Sequence, residues 1–222
     1  MENIELNKDE VLRYLGYKNQ PLDENINKLV EDCILEIKKI SRVKYIYNYF
    51  IITCRSSEIS LDNGVIILPG KGIASHLKNS GECVLMAVTL GNLVDTKIRY
   101  YEKLDMTRAL ILDACATAYV EEVCDRVCSL IEKEYKLKDK YLTYRFSPGY
   151  GDLPIDIQKS FLRVLDAEKK IGLTASPNNI LSPNKSVTAI LGILNNNCNT
   201  EINGCYNCNK NSDCYYKKEG GK

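Results

Sequence analysis

The chain has 222 residues, 45% of them hydrophobic, and 30 basic residues against 29 acidic ones. That length permits one large domain or two small ones with a packed core, and a formal charge of +1 argues against a general nucleic-acid or membrane surface. The polar stretch Met1 to Asp9 lacks a signal-peptide core, and no apolar run reaches spanning length. The expectation is therefore a cytoplasmic protein, with neither nucleic acid nor membrane among its partners.

Asn7 to Leu15 reads as a short helix, with Val11, Leu12 and Leu15 on its apolar face and Gly16 at its end. Leu22, Ile26, Leu29, Val30, Cys33 and Ile37 recur at helical spacing and predict a second helix reaching Ile40. Val43 to Cys54 is β-rich, and Tyr45, Tyr47 and Tyr49 share one strand face. Sheet packing explains these tyrosines better than a stacking platform. Asp62-Asn63-Gly64 is a turn, Val65 to Leu68 a short strand, and Pro69-Gly70-Lys71-Gly72 a bend into a short helix. The bend lacks the glycine spacing and the Lys-Ser/Thr pair of a phosphate loop. His76, the only histidine, is expected on the surface of that helix.

Cys83 to Leu90 reads as an interior strand, and Asn92 to Lys103 connects it to the longest helix, about Asp105 to Tyr135. Leu112, Ala116, Tyr119, Val120, Val123 and Val127 form that helix's buried stripe. Cys124 and Cys128, four apart, could pair on a metal, but core filling is the better reading. Glu121 and Glu122 project about 100° apart, which suits solvated or cap-contacting carboxylates rather than a facing pair. Ile155 to Lys170 predicts a helix closed by Gly172, and Ser186 to Leu194 is apolar on both faces, hence a central strand. The elements form no regular βαβ series, which favours α+β.

Two stretches carry chemistry. Leu142 to Phe146 is β-prone, Ser147-Pro148-Gly149 turns the chain, and Pro154 can open a helix near Ile155. Gly149 and Gly151 permit close backbone approach, Arg145 offers a fork of donors suited to a carboxylate, and Tyr150 adds a ring and a hydroxyl. A tight turn beside a surface arginine is the competing reading. From Asn195 onward the composition shifts: Cys198, Cys205, Cys208 and Cys214 are separated by six, two and five residues. Four thiolates suit zinc or a [4Fe–4S] cluster; exchangeable thiols or a disulfide remain open. The expected division is residues 1–194 as one domain and residues 195–222 as a cysteine-rich tail, a possible metal-binding clasp.

Arg145-Phe-Ser-Pro-Gly149-Tyr150 resembles the S-adenosylmethionine (AdoMet) motif of the activation domain of cobalamin-dependent methionine synthase: Arg, three residues, Gly-Tyr. Gly81 to Gly91, Leu112 to Glu122 and Leu181 to Gly192 resemble the same family, so the likeness runs from about Val11 to Leu194. The cysteine tail resembles an addition found with stand-alone relatives.

The resemblance implies a mixed, largely antiparallel twisted sheet with flanking helices, in agreement with the α+β reading. It implies an AdoMet-binding component that supports reductive methylation of cob(II)alamin on a partner methionine synthase lacking its own activation domain. A flavodoxin-like donor would supply the electron. By position in the motif, Arg145 would bind the AdoMet carboxylate, Ser147 and Tyr150 would bind through backbone or nearby side-chain groups, and Gly149 would keep the loop close. The chain has no recognisable cobalamin-binding histidine motif, so the cobalamin would be partner-bound and the chain an accessory subunit. The alternatives are a metal- or Fe–S-bearing redox or structural protein, and an AdoMet module serving another corrinoid methyltransferase.

Overall fold

The computed structural model describes residues 4–18, 20–55, 58–136 and 140–195. Cys198, Cys205, Cys208 and Cys214, with the metal site expected of them, lie outside the described residues.

Two capped helices open the chain. In α1 (Lys8–Tyr14) the Asn7 side chain accepts from the Asp9 amide. In α2 (Glu24–Ile40) Asp23 accepts from Asn25 and Ile26, and Val30, Cys33 and Ile37 are buried along one stripe. Such caps satisfy amides that have no partner within the helix. Strand β1 (Lys44–Arg55) is followed by β2 (Glu58–Leu61), β3 (Ile66–Pro69), the short helix α3 (Lys71–His76) and β4 (Glu82–Thr89). Helix α4 (Asn92–Glu102) leads to the long α5 (Met106–Lys136), then β5 (Tyr141–Leu142), α6 (Ile157–Leu165) and α7 (Ala167–Ile171). Strands β6 (Thr174–Ala175) and β7 (Leu181–Ser182) form a small hairpin before β8 (Ser186–Leu194).

The main sheet runs β3-β2-β1-β4-β8-β5, and every neighbouring pair is antiparallel. The α+β class and the largely antiparallel sheet expected from the sequence are both present. Strands β4 and β8 are interior and buried along nearly their whole length. Their alternate residues feed two cores. Val84, Met86, Val88, Ala189, Leu191 and Ile193 pack under α1, α2, α4 and α5. Cys83, Leu85, Ala87 and Ile190 pack under α3, α6 and α7. The architecture is helices, sheet, helices.

Three sequence expectations change. The link Asn92 to Lys103 is itself mostly helix, because Val94 and Ile98, four apart, are buried while Lys97 and Arg99 stay outside. The helix expected over Ile155 to Lys170 starts at Ile157 and breaks at Asp166, whose φ of 54° is left-handed. The strand expected over Leu142 to Phe146 pairs regularly only at its start, for the reason given next.

Candidate ligand site at the Arg145 loop

Tyr141 and Leu142 pair with Leu194 and Ile193, and the Thr143 amide donates to the Gly192 carbonyl. Phe146 and Ile190 then exchange two backbone hydrogen bonds, of 3.0 and 2.8 Å. Tyr144 and Arg145 therefore face a single residue, Leu191: one extra residue sits in the strand, a β-bulge. A bulge re-aims the side chains around it. Thr143 and Tyr144 both turn towards His76, Phe146 enters the core under α3 and α6, and Arg145 is sent to the opposite face, against α5. Next to the bulge, opposite Thr143, stands Gly192, where a Cβ would fall on Ser80 Oγ and lie 3.1 Å from both Leu77 Cδ2 and Thr143 Cγ2.

The Arg145 Nη2 group donates to Glu121 Oε2 at 2.7 Å and lies 3.0 Å from Asp125 Oδ1. Glu121 and Asp125 are one turn apart on α5, so both reach the same guanidinium. Arg145 is 21% exposed, against 40% and 60% for the two carboxylates. Burial disfavours the Arg145 cation, but Cys124, Glu121 and Asp125 around it more than offset that and raise its hold on the proton. Burial also pushes the Cys128 thiol up to about 11 and raises Cys124 further; Cys124 is buried in the core and Cys128 packs half-buried against it, the core filling expected. The Arg145 Nη1 group is buried and has no hydrogen-bond partner among the described residues. Two carboxylates against one guanidinium leave the cluster one negative charge in excess.

Beyond Arg145 the chain folds into a compact loop. The Ser147 carbonyl accepts from the Tyr150 amide at 3.0 Å, and the Gly149 amide donates to the Leu153 carbonyl at 2.9 Å. Gly149 has φ of 90°, a region an L side chain rarely adopts. Tyr150 is exposed and stands edge-on to Phe146 at 6.2 Å. Asp152 closes the loop: its carboxylate accepts from the amides of Lys71 and Gly72, at 2.6 and 2.9 Å. Those bonds hold the Asp152 carboxyl below its ordinary range. The Pro69-Gly70-Lys71-Gly72 bend is thus filled by the chain's own carboxylate.

Arg145, Ser147, Gly149 and Tyr150 follow one another on this bulge and turn, with Arg145 directed at α5 and Tyr150 beside Phe146 on the other side of the strand. The structure also moves two residues from where the sequence placed them. Glu121, expected to be solvated or cap-contacting, is the closest ion partner of Arg145 and stays 40% exposed. His76, expected on a helix surface, packs between the rings of Tyr144 and Phe146, at 4.4 and 5.2 Å, with Nε2 2.9 Å from Thr143 Oγ1. Burial pulls the His76 imidazole down to about 4, and backbone contacts to Tyr144 and Ile190 offset only part of that. Asp125 and Asp152 were not singled out from the sequence; the four-residue spacing of Glu121 and Asp125 is the signal that marks the first.

Among the described residues, no group of three or more His, Cys, Asp or Glu side chains is placed to hold a metal ion. No described helix is long and apolar enough to cross a membrane. No protein-family profile and no curated protein matches this chain. Among solved structures, the chain is similar to the crystal structure of the MetH reactivation domain bound to AdoHcy, with a TM-score of 0.61 and 13% sequence identity over 85% of this chain and 77% of that one. The likeness is one of fold: this chain has the architecture of that domain, as a distant structural relative.

Proposed function

We propose that the chain is an AdoMet-binding reactivation component acting on a cobalamin-dependent methionine synthase that lacks its own activation domain. The shared fold and the Arg145 to Tyr150 motif support the reading. The observation that carries it is the buried, unpartnered Nη1 of Arg145 beside two half-exposed carboxylates. A buried donor left unpaired costs about 1–3 kcal/mol, so this atom favours a ligand that can accept from it. A cluster with excess negative charge favours a ligand that is positive overall. AdoMet fits both demands: it has one carboxylate, an ammonium and a sulfonium.

In this reading Arg145 Nη1 takes the carboxylate, and Glu121 and Asp125 receive the ammonium. Ser147 and Tyr150 contribute backbone or nearby side-chain contacts, and Gly149 keeps the loop close to the ligand. When bound, AdoMet supplies an activated methyl group. The cobalamin and the electron come from other proteins, a methionine synthase and a flavodoxin-like donor. Calorimetric titration tests the binding step: AdoMet binds the wild type saturably, and Arg145→Ala weakens it by about 2 kcal/mol, roughly 30-fold. Equal affinities remove Arg145 from the site. The reactivation step is tested with methionine synthase poised as cob(II)alamin, reductant and AdoMet. The methylcobalamin spectrum returns faster with this protein, and an unchanged rate rejects the partner.

For residues 195–222 the reading is one metal centre held by Cys198, Cys205, Cys208 and Cys214. Clustered thiolates in a reducing compartment repel one another unless a cation neutralises them. Anaerobic purification and metal analysis return one zinc, or about four iron and four sulfide, per chain. Metal-free protein with every tail thiol alkylated rules the centre out.

A further inference from the structure

A concave site lies on the same helix layer, away from the Arg145 loop. It is a cleft of about 630 Å³ between α2 and α4, with Arg108 of α5 beneath. From α2 it takes Leu35, Glu36, Lys39 and Ile40, and from α4 Leu93, Thr96, Lys97 and Tyr100. Each set is one helix face, at spacings of one, four and five residues or three, four and seven. Leu35, Leu93 and Tyr100 are 67%, 51% and 53% exposed, so the upper walls present apolar side chains to solvent.

The polar groups converge at the base. Glu36 accepts from Arg108 Nη2 at 2.8 Å and from the Tyr101 hydroxyl at 3.0 Å, and Lys97 Nζ lies 3.5 Å from it. Lys97 also stands over the rings of Tyr100 and Tyr101, at 4.9 and 4.7 Å. Arg108 Nε is buried with no hydrogen-bond partner. Lys39 forms no ion pair among the described residues. Lys39, Lys97 and Arg108 therefore set three cations against the one carboxylate of Glu36. An apolar wall, an aromatic face and more cations than carboxylates in the lining, in a cleft within the usual range of ligand-site volumes, define the chemistry of an occupant.

We propose that this cleft binds a small organic anion: a carboxylate or phosphate borne on an apolar, preferably aromatic, body. The oxyanion meets Lys97 and Arg108, and the body lies against Leu35, Leu93 and Tyr100. The occupant differs in charge from the one favoured at Arg145, where carboxylates are in excess, so the two sites do not compete. The cleft stands independently of the AdoMet reading.

The test is a titration of the ¹⁵N-labelled full chain with phenyl phosphate, benzoate and phenol, followed by ¹H–¹⁵N chemical shifts. Saturable shifts are expected at the amides of Leu35, Leu93, Lys97, Tyr100 and Arg108. At least one of the two anions binds ten-fold or more tightly than phenol, and which one does so distinguishes a phosphate from a carboxylate site. Lys97→Glu reverses a charge at the base and weakens binding at least ten-fold. Leu93→Glu alters an exposed side chain, so folding is not at issue, and it has a similar effect. Phenol binding as tightly as both anions, shifts that scatter or fail to saturate, or wild-type affinity in both variants overturns the proposal.

Discussion

The two faces of the sheet hold their polar side chains by different means. On the face covered by α1, α2, α4 and α5, charge meets opposite charge: Arg145 with Glu121 and Asp125, Arg108 with Glu36, Lys185 with Asp113. On the face covered by α3, α6 and α7, the one ion pair among the described residues, Lys169 with Asp166 at 4.0 Å, is solvent-exposed, while His76, Gln158 and Asp152 meet neutral groups or backbone. His76 meets Thr143, the Gln158 amide exchanges two hydrogen bonds with the Thr188 hydroxyl, and Asp152 meets two amides. A half-exposed ion pair can trade one partner for water or a ligand at small cost. A buried polar group such as Gln158 or Thr188 has no replacement when its partner is lost, whereas the exposed Asp152 can turn to water. Both proposed ligand sites lie on the first face, while the second is scaffolding, although the single loop from Thr143 to Asp152 serves both.

The largest expected effect is on the scaffolding face. An unfolded histidine takes its proton near pH 6.5, whereas His76 in the fold does so only at about 4. Between those values the unfolded chain binds more protons, so stability falls as the pH drops through that window. The loss is up to roughly 3 kcal/mol for a shift of this size. The urea midpoint of the wild type should therefore fall steadily between about pH 6.5 and pH 4.5. His76→Gln retains a hydrogen-bonding group for Thr143 and removes that slope. A variant as acid-sensitive as the wild type in that window would assign the sensitivity to another group and erase the contrast between the faces.

The parts of this architecture legible in the sequence are those set by long apolar periodicity. The stripe Val30, Cys33 and Ile37 and the run from Leu112 to Val127 fix two helices and their buried sides. The doubly apolar segment Ser186 to Leu194 fixes an interior strand. In strand β2 Ile59, Ser60 and Leu61 are all buried, a serine among them, so no apolar–polar alternation marks it. The break at Asp166 depends on a left-handed residue that is not glycine, which local composition does not announce. The motif residues of the site are visible because they are contiguous. The partner Glu121 lies 24 residues away, and it meets Arg145 only because the bulge against β8 turns that side chain over. His76 was misplaced for the same reason. Its helical position is ordinary, and its burial comes from Tyr144 and Phe146 across the fold.

A smaller effect is expected where a partner is removed from the exchangeable face. Glu121→Gln deletes the closest carboxylate to Arg145, yet Asp125 remains 3.0 Å from the same nitrogen. Glu121 is 40% exposed, so water reaches the site, and partly exposed pairs contribute about 0.2–1 kcal/mol. The expected loss in a urea melt is therefore below about 1 kcal/mol, well short of the His76 effect. Ligand affinity should respond more strongly than stability. The variant leaves Arg145 and Asp125 as a balanced pair, without the excess negative charge that favours a positive ligand. AdoMet affinity should then fall several-fold while affinity for a neutral amino-acid zwitterion such as methionine changes less. A stability loss as large as that of His76 protonation would show that Glu121 is part of the scaffold. Unchanged discrimination between AdoMet and methionine would show that the charge balance of the cluster does not select the ligand.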